Sequence, residues 1–275
     1  MLDFHMHSLF SDGTDDIVTI LNKVNNLDYF SITDHDSIES ARYIMNNGLN
    51  KPNYITGVEL STRDLGDSVH ILFYNYDIDN PALDEVINNI DMIRMKRLKE
   101  RLDYLEKDFN IKLKNDDLTY LYSLSNPTKP NIASILVKDG YAENVNVAIK
   151  KYLYHKLETK KLESTYVLEK LKNEKGILIL AHPLGGIGEV RIDREKFLDR
   201  VSRFKSCGLK GLECVYSLYN SEEQGFLIKT AQKNNLIISG GSDYHGLNKN
   251  VKIGELSSDN NNNYEYINLI SYIKR

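Results

Sequence analysis

The feature that most constrains this chain is an alternation of strand-length apolar runs with helix-length amphipathic ones. The runs MLDFHMH (1–7), YFSIT (29–33), YITGVEL (54–60), VHILFY (69–74), GILILAHP (176–183), GLECVY (211–216) and LIISGGSDYH (236–245) recur along the chain and give way to polar residues. Segments this apolar suit strands covered on both faces, as in a parallel sheet. Helical patterns separate several of them: TDDIVTILNKVNN with a Thr-Asp cap signal, SIESARYIMNNG closing on Gly48, STYVLEKLKNEKG, and SEEQGFLIKTAQKNN. Strands alternating with helices predict an α/β fold. Seven strands suggest a barrel related to the eight-stranded β/α barrel, although periodicity alone leaves an open sheet as the alternative.

One interval breaks the rhythm. Between about 82 and 165 no strand pattern is found. ALDEVINNIDMIRMKRLKERLDYLEKDF reads as a long amphipathic helix rich in i,i+4 charge pairs, and NIASILVKDGY and NVAIKKYLYHKL as shorter helices. The chain is therefore expected to fold as a barrel domain made of residues 1–100 and 165–275, interrupted by a small helical insertion domain at 101–164.

Composition narrows the function classes. The 275 residues are 41% hydrophobic and carry a formal charge of -4, so no basic excess favours long nucleic acid. Cys207 and Cys214 are the only cysteines, make no CxxC pair and read as small core residues suited to a reducing cytoplasm. The N-terminus has no charged region followed by an apolar run, so no secretory signal is expected, and no stretch approaches a membrane span.

Polar residues fall at particular places on this scaffold. His5 and His7 stand two apart and face one side of one strand, with Asp12 in the loop beyond. His35 follows the second strand, Glu59 ends the third, His182 follows the fifth, and Asp243 and His245 follow the seventh. His70 is an exception, since it stands near the start of its run. In parallel barrels the C-terminal strand ends carry the active site, so these nine residues would converge on one pocket. Imidazole with carboxylate suits zinc, manganese or iron. Nine candidate ligands exceed the complement of one ion and imply more than one, with Glu59 as the bridging carboxylate. Glu213 is either a further ligand or an acceptor that orients an imidazole, and Asp34 and Asp36 have the same roles open. The glycines of PLGGIGEV read as a mobile loop rather than a dinucleotide site. His155, in the insertion, reads as a surface or packing residue.

The motifs HMHS with SDG, then TDHD, GVE, HILFY, AHP and SDYH, in this order and spacing, resemble the PHP family (polymerase and histidinol phosphatase) over nearly the whole chain. The resemblance implies a distorted barrel of seven β/α units binding two or three metal ions. By it His5, His7, Glu59 and Asp243 would hold one ion, Glu59, His70 and His182 a second, and Asp12, His35 and His245 a third. An aspartate at position 12 is similar to the subgroup of small phosphoesterases that act on nucleotides. That subgroup carries a helical insertion with an Arg-Pro-His-Ile-Ala pattern, whose Arg and His contact a substrate phosphate. Here Lys129 and Asn131 stand in TKPNIA, so the charge is kept but the bidentate fork is lost. Read without the resemblance, Lys129 is a solvated charge and Asn131 a helix N-cap ahead of IASILV.

The resemblance implies a metal-dependent phosphoesterase in which a metal-bridging hydroxide attacks a small phosphomonoester, such as a nucleotide 3′,5′-bisphosphate or an oligonucleotide end. The alternatives are a metal-dependent amidohydrolase, against which stands the lack of a lysine in YITGVEL and VHILFY, and a PHP module that binds metal without turnover.

Overall fold

The computed structural model describes residues 1–124 and 127–273. The chain forms two compact units, one of residues 1–87 with 162–275 and one of residues 88–161.

The first unit is the barrel. In chain order it contains β1 (Leu2–Asp3), α1 (Ile17–Lys23), β2 (Tyr29–Ile32), α2 (Glu39–Asn46), β3 (Tyr54–Asp64), β4 (Asp67–Tyr74) and the start of α3 (Pro81–Phe109). After the second unit come α7 (Ser164–Leu171), β5 (Ile177–Leu180), α8 (Arg194–Cys207), β6 (Gly211–Tyr216), α9 (Ser221–Lys233), β7 (Ile237–Gly241) and α10 (Leu269–Ile273). The seven strands form one sheet in sequential order. Its ends approach where Phe4 N donates to Gly240 O at 3.1 Å and Met6 bridges Tyr244, so the barrel is nearly closed.

The sheet is not all parallel, as the apolar runs had suggested. β4 is antiparallel to both β3 and β5, while the other neighbours are parallel. The reason is local. Leu65 and Gly66 both adopt positive φ, +49° and +99°, and close β3 onto β4 as a two-residue hairpin with no crossover helix. A strand that runs backwards has its first residues at the end where its parallel neighbours finish. This accounts for His70, which pairs with Ser61 near the start of β4.

On β4, His70, Leu72 and Tyr74 share one face. Leu72 and Tyr74 join Phe4, Ile55, Ile177, Ile179, Ala181 and Ile237 in an apolar cluster. A second cluster, with Met6, Phe30 and Ile32, receives Ile17, Ile20, Leu21 and Ile44 from α1 and α2. Asp16 caps α1 by accepting from Thr19 N at 2.8 Å. α8 is pinned to the hairpin by charge. Arg203 holds Asp64 in a fork of 2.6 and 2.9 Å, and buried Arg200 adds a contact of 2.8 Å to Asp64 and one of 2.7 Å to Asp67.

The second unit is helical and has its own core. It holds the remainder of α3 with α4 (Asn115–Ser123), α5 (Lys129–Lys138) and α6 (Val145–Tyr152). Leu98, Leu105, Leu121, Ile132, Leu136 and Leu153 are buried together there. Thr128, not Asn131, is the N-cap of α5; Asn131 is the third helical residue, and its Oδ1 reaches back to accept from Thr128 N at 2.7 Å and from the Thr128 hydroxyl at 2.5 Å. His155 stacks on Tyr104 with ring centroids 3.8 Å apart. Cys214 is buried as expected, whereas Cys207 is only partly so.

Burial pushes the Asp64 carboxyl up, but Arg203 and Arg200 overcome this and hold it below its ordinary value. The stability that this carboxylate contributes is therefore present above the ordinary carboxylate pKa of about 3.9 and is lost as pH falls through the lower folded value. Asp64→Asn should destabilise the fold by about 3 kcal/mol at pH 7. Thermal melts across pH should show the gap between variant and wild type closing below about pH 4. A gap unchanged down to pH 2 would remove the electrostatic account.

Candidate metal centre

Past the C-terminal ends of the parallel strands, near the start of reversed β4 and midway along β3, which continues to Asp64 rather than ending at Glu59, the structure brings all nine predicted residues into one pocket. Its centre is Glu59, which is 1% exposed. One oxygen, Oε2, lies 3.1 Å from His5 Nε2, His7 Nε2 and His35 Nδ1. The other, Oε1, lies 3.0 Å from His70 Nδ1 and from His182 Nε2. Asp243 Oδ1 stands 3.6 Å from His5 Nε2 and 3.5 Å from His7 Nε2. On the outer side Asp12 lies 3.1 Å from His245 Nε2, 3.6 Å from His7 Nδ1 and 3.8 Å from His35 Nε2.

Local backbone aims these groups. His182 and Asp243 both adopt positive φ, +25° and +58°, which turns each side chain as its strand ends. Gly241 lets β7 lie against His5, since a Cβ there would fall 2.2 Å from the His5 Cβ. Among the described residues, the side-chain hydrogen bonds of Asp34 run to serines. Its carboxylate accepts from Ser8 N at 2.7 Å, from the Ser8 hydroxyl at 2.7 Å and from Ser11 at 2.6 Å, which fixes the loop after His7. Asp36 accepts from Ser61 N at 2.6 Å.

Glu213 meets the orienting role. Its Oε1 lies 2.9 Å from His5 Nδ1 and its Oε2 accepts from His182 N at 2.8 Å, so His5 presents Nε2 to the pocket. His245 Nδ1 is likewise engaged by the Asp243 carbonyl at 2.8 Å and presents Nε2.

The electrostatics are those of a pocket built around charge. Burial pushes Glu59 up, but His35, His5 and His70 outweigh it and hold the carboxyl well below its ordinary value. Burial lowers the His7 imidazole well below its ordinary value, and His245 and His35 add to the effect. Burial acts the same way on His5, yet Glu213, Glu59 and Asp243 hold that ring well above.

The donor set fits divalent metal ions. Buried polar atoms in folded proteins are almost always hydrogen-bonded. Here Asp12 Oδ1, His35 Nδ1, Glu59 Oε2, His70 Nδ1 and His245 Nε2 are buried without a hydrogen-bond partner, with Asp12 beside His245 and Glu59 beside His35 and His70. Two groups of possible ligands, His5 with His7, Glu59 and Asp243, and His7 with Asp12, His35 and His245, have their donor atoms within 4.8 Å of one another. Imidazole nitrogen with carboxylate oxygen is the chemistry of zinc, manganese and iron.

Three residues that the motifs did not reveal border the pocket. Tyr216 donates to Asp243 Oδ2 at 2.8 Å and Lys249 contacts the same oxygen at 2.6 Å. Glu189 lies 2.8 Å from His182 Nδ1. Tyr216 ends β6 and could have been found by the strand-end rule. Lys249 and Glu189 stand in connecting segments and carry no such signal.

No protein-family model matches the chain. A 5′-3′ exoribonuclease of Haemophilus influenzae is 28% identical over 88% of this chain and 89% of its own length. A 3′,5′-nucleoside bisphosphate phosphatase of Chromobacterium violaceum is 22% identical over 89% of this chain and 87% of its own. A crystal structure from Bifidobacterium adolescentis, of a protein predicted to be a metal-dependent phosphoesterase, superposes with a TM-score of 0.72 at 26% identity over 98% of each chain. In fold and in sequence over nearly its whole length, this chain is similar to metal-dependent and nucleotide-acting phosphoesterases, in keeping with the family resemblance of its motifs.

Proposed function

We propose that this chain hydrolyses a small phosphoester, a nucleotide 3′,5′-bisphosphate or the end of a short oligoribonucleotide, with two or three divalent ions of manganese, zinc or iron. The observation that carries this reading is the Glu59 carboxylate, whose two oxygens face separate sets of imidazoles. His5, His7, Glu59 and Asp243 would hold one ion, Glu59, His70 and His182 a second, and Asp12, His35 and His245 a third. Ions held there supply an acidified water and neutralise phosphoryl charge.

The chain's own residues prepare that chemistry. Glu213 and the Asp243 carbonyl fix which ring nitrogens of His5 and His245 face inward. Lys249 and Tyr216 hold the second oxygen of Asp243, leaving Oδ1 toward the histidines. Cys214, beside Glu213, is no nucleophile: burial and Glu213 push its thiol well up. The low cysteine content supports a reducing, cytoplasmic setting. Among the described residues no helix is long and apolar enough to cross a membrane.

Lys129 and Asn131 are the proposed substrate contacts of the helical unit. Lys129 lies 5.6 Å from the Tyr154 ring, and burial with the nearby Arg101 and Arg97 pushes its ammonium down. Such a concentration of cations supports a phosphate ligand. Asn131 already spends Oδ1 on its cap, so it would meet a phosphate through its amide nitrogen.

Glu59→Gln should lose metal and turnover together, with turnover down by more than about 100-fold. Elemental analysis, circular dichroism and hydrolysis assays with each metal check this. Full metal content and full turnover in that variant would sink the assignment. Lys129→Ala should raise KM for bisphosphate substrates by about tenfold, with kcat nearly unchanged. Steady-state kinetics on substrates with one and two phosphates would measure it, and an unchanged KM on both would remove Lys129 from recognition.

A further inference from the structure

The segment PLGGIGEV follows His182, and its folding has a specific product. Gly185 N donates to His182 O at 2.7 Å, Ile192 N to Leu184 O at 3.2 Å, and Glu189 N to Gly186 O at 3.2 Å, closing a tight turn. Leu184 N is anchored on the Tyr219 hydroxyl at 2.8 Å. Gly188 sits at φ +78°, a conformation that a side chain would strain. Gly186 packs against the His182 ring, and a Cβ there would lie 3.0 Å from ring atoms Cγ and Nδ1.

This turn delivers one carboxylate. The Glu189 side chain is 9% exposed. Its Oε2 accepts from Gly186 N at 2.9 Å and approaches His182 Nδ1 at 2.8 Å. Its Oε1 lies 3.6 Å from His70 Nδ1 and is buried without a hydrogen-bond partner. His70 Nδ1 is unpartnered in the same sense. His70, His182 and Glu189 each offer a donor atom within 4.8 Å of the others. A carboxylate oxygen and an imidazole nitrogen, Glu189 Oε1 and His70 Nδ1, that meet in a buried place without a hydrogen bond are what a cation would reconcile.

We propose that Glu189 is a further metal ligand of this chain, joining His70 and His182 on one ion, and that metal binding thereby orders the 183–192 turn. This rests on the metal-centre reading of the pocket but not on the reaction assigned to it. The turn's glycines then have a purpose: they bring a carboxylate borne by a connecting segment onto a centre otherwise built from strand ends.

The test is metal titration of the apo-protein with Mn²⁺ and with Zn²⁺ against a competing chelator, combined with amide hydrogen exchange of residues 183–192. Wild type, Glu189→Gln and Glu189→Asp are compared, with apo melting curves to show that each variant folds. Glu189→Gln should weaken one class of site by about 10–100-fold and leave the others unchanged. Glu189→Asp should recover part of the loss. Metal should slow exchange at 183–192 in the wild type and not in Glu189→Gln. Equal affinities and equal protection in all three proteins would overturn the proposal, as would a wild type that binds no metal. A wild type that binds metal with this pattern but hydrolyses no phosphoester would sustain the proposal and reject the function given above.

Discussion

Five imidazole nitrogens stand within 3.1 Å of one buried carboxylate, that of Glu59. A charge held so far from water is expensive unless opposite charge surrounds it, and protons or metal ions are the available sources. Both compete for the same lone pairs, so occupancy by metal releases protons and weakens in acid. Much of the barrel serves this one arrangement. The strand ends deliver histidines from distant parts of the sequence, the reversed β4 adds His70, and positive φ at His182 and Asp243 turns two more groups inward.

Around that centre lies a shell of groups whose work is orientation. Glu213 engages one nitrogen of His5 and a backbone amide of the His182 loop, which couples β6 to both β1 and β5. Asp34 gathers Ser8 and Ser11 and so holds the turn that carries Asp12. An imidazole has two nitrogens, and engaging one decides the tautomer and the aim of the other. Loss of such a partner alters a ligand without touching it.

The sequence carried much of this pocket because histidine and carboxylate at strand ends are conspicuous, and the apolar run before each marks its strand. What it did not carry depends on short-range geometry. The Leu65-Gly66 turn lacks the Asn-Gly or Asp-Gly signal of a tight hairpin, so the reversal of β4 was hidden and His70 seemed misplaced. α8 has an Asp193 cap and a closing Gly208, but its many charges mask the apolar stripe of Phe197, Val201 and Phe204. Glu189 lies beyond three glycines whose pattern resembles a loop in any context. Its position became meaningful only when the turn folded back on His182.

The hairpin has a consequence for how the barrel comes together. Joining β3 to β4 requires the closure of only two residues, whereas every other strand pairing waits on a long crossover. Loop-closure entropy therefore favours this pairing ahead of the rest. Glu59 and His70 lie on it, each two positions from the other's paired partner, so a bridging carboxylate and one imidazole share a local element. The chain can assemble the middle of its site from neighbours in sequence and recruit His5, His182 and Asp243 afterwards, as the long-range pairings close.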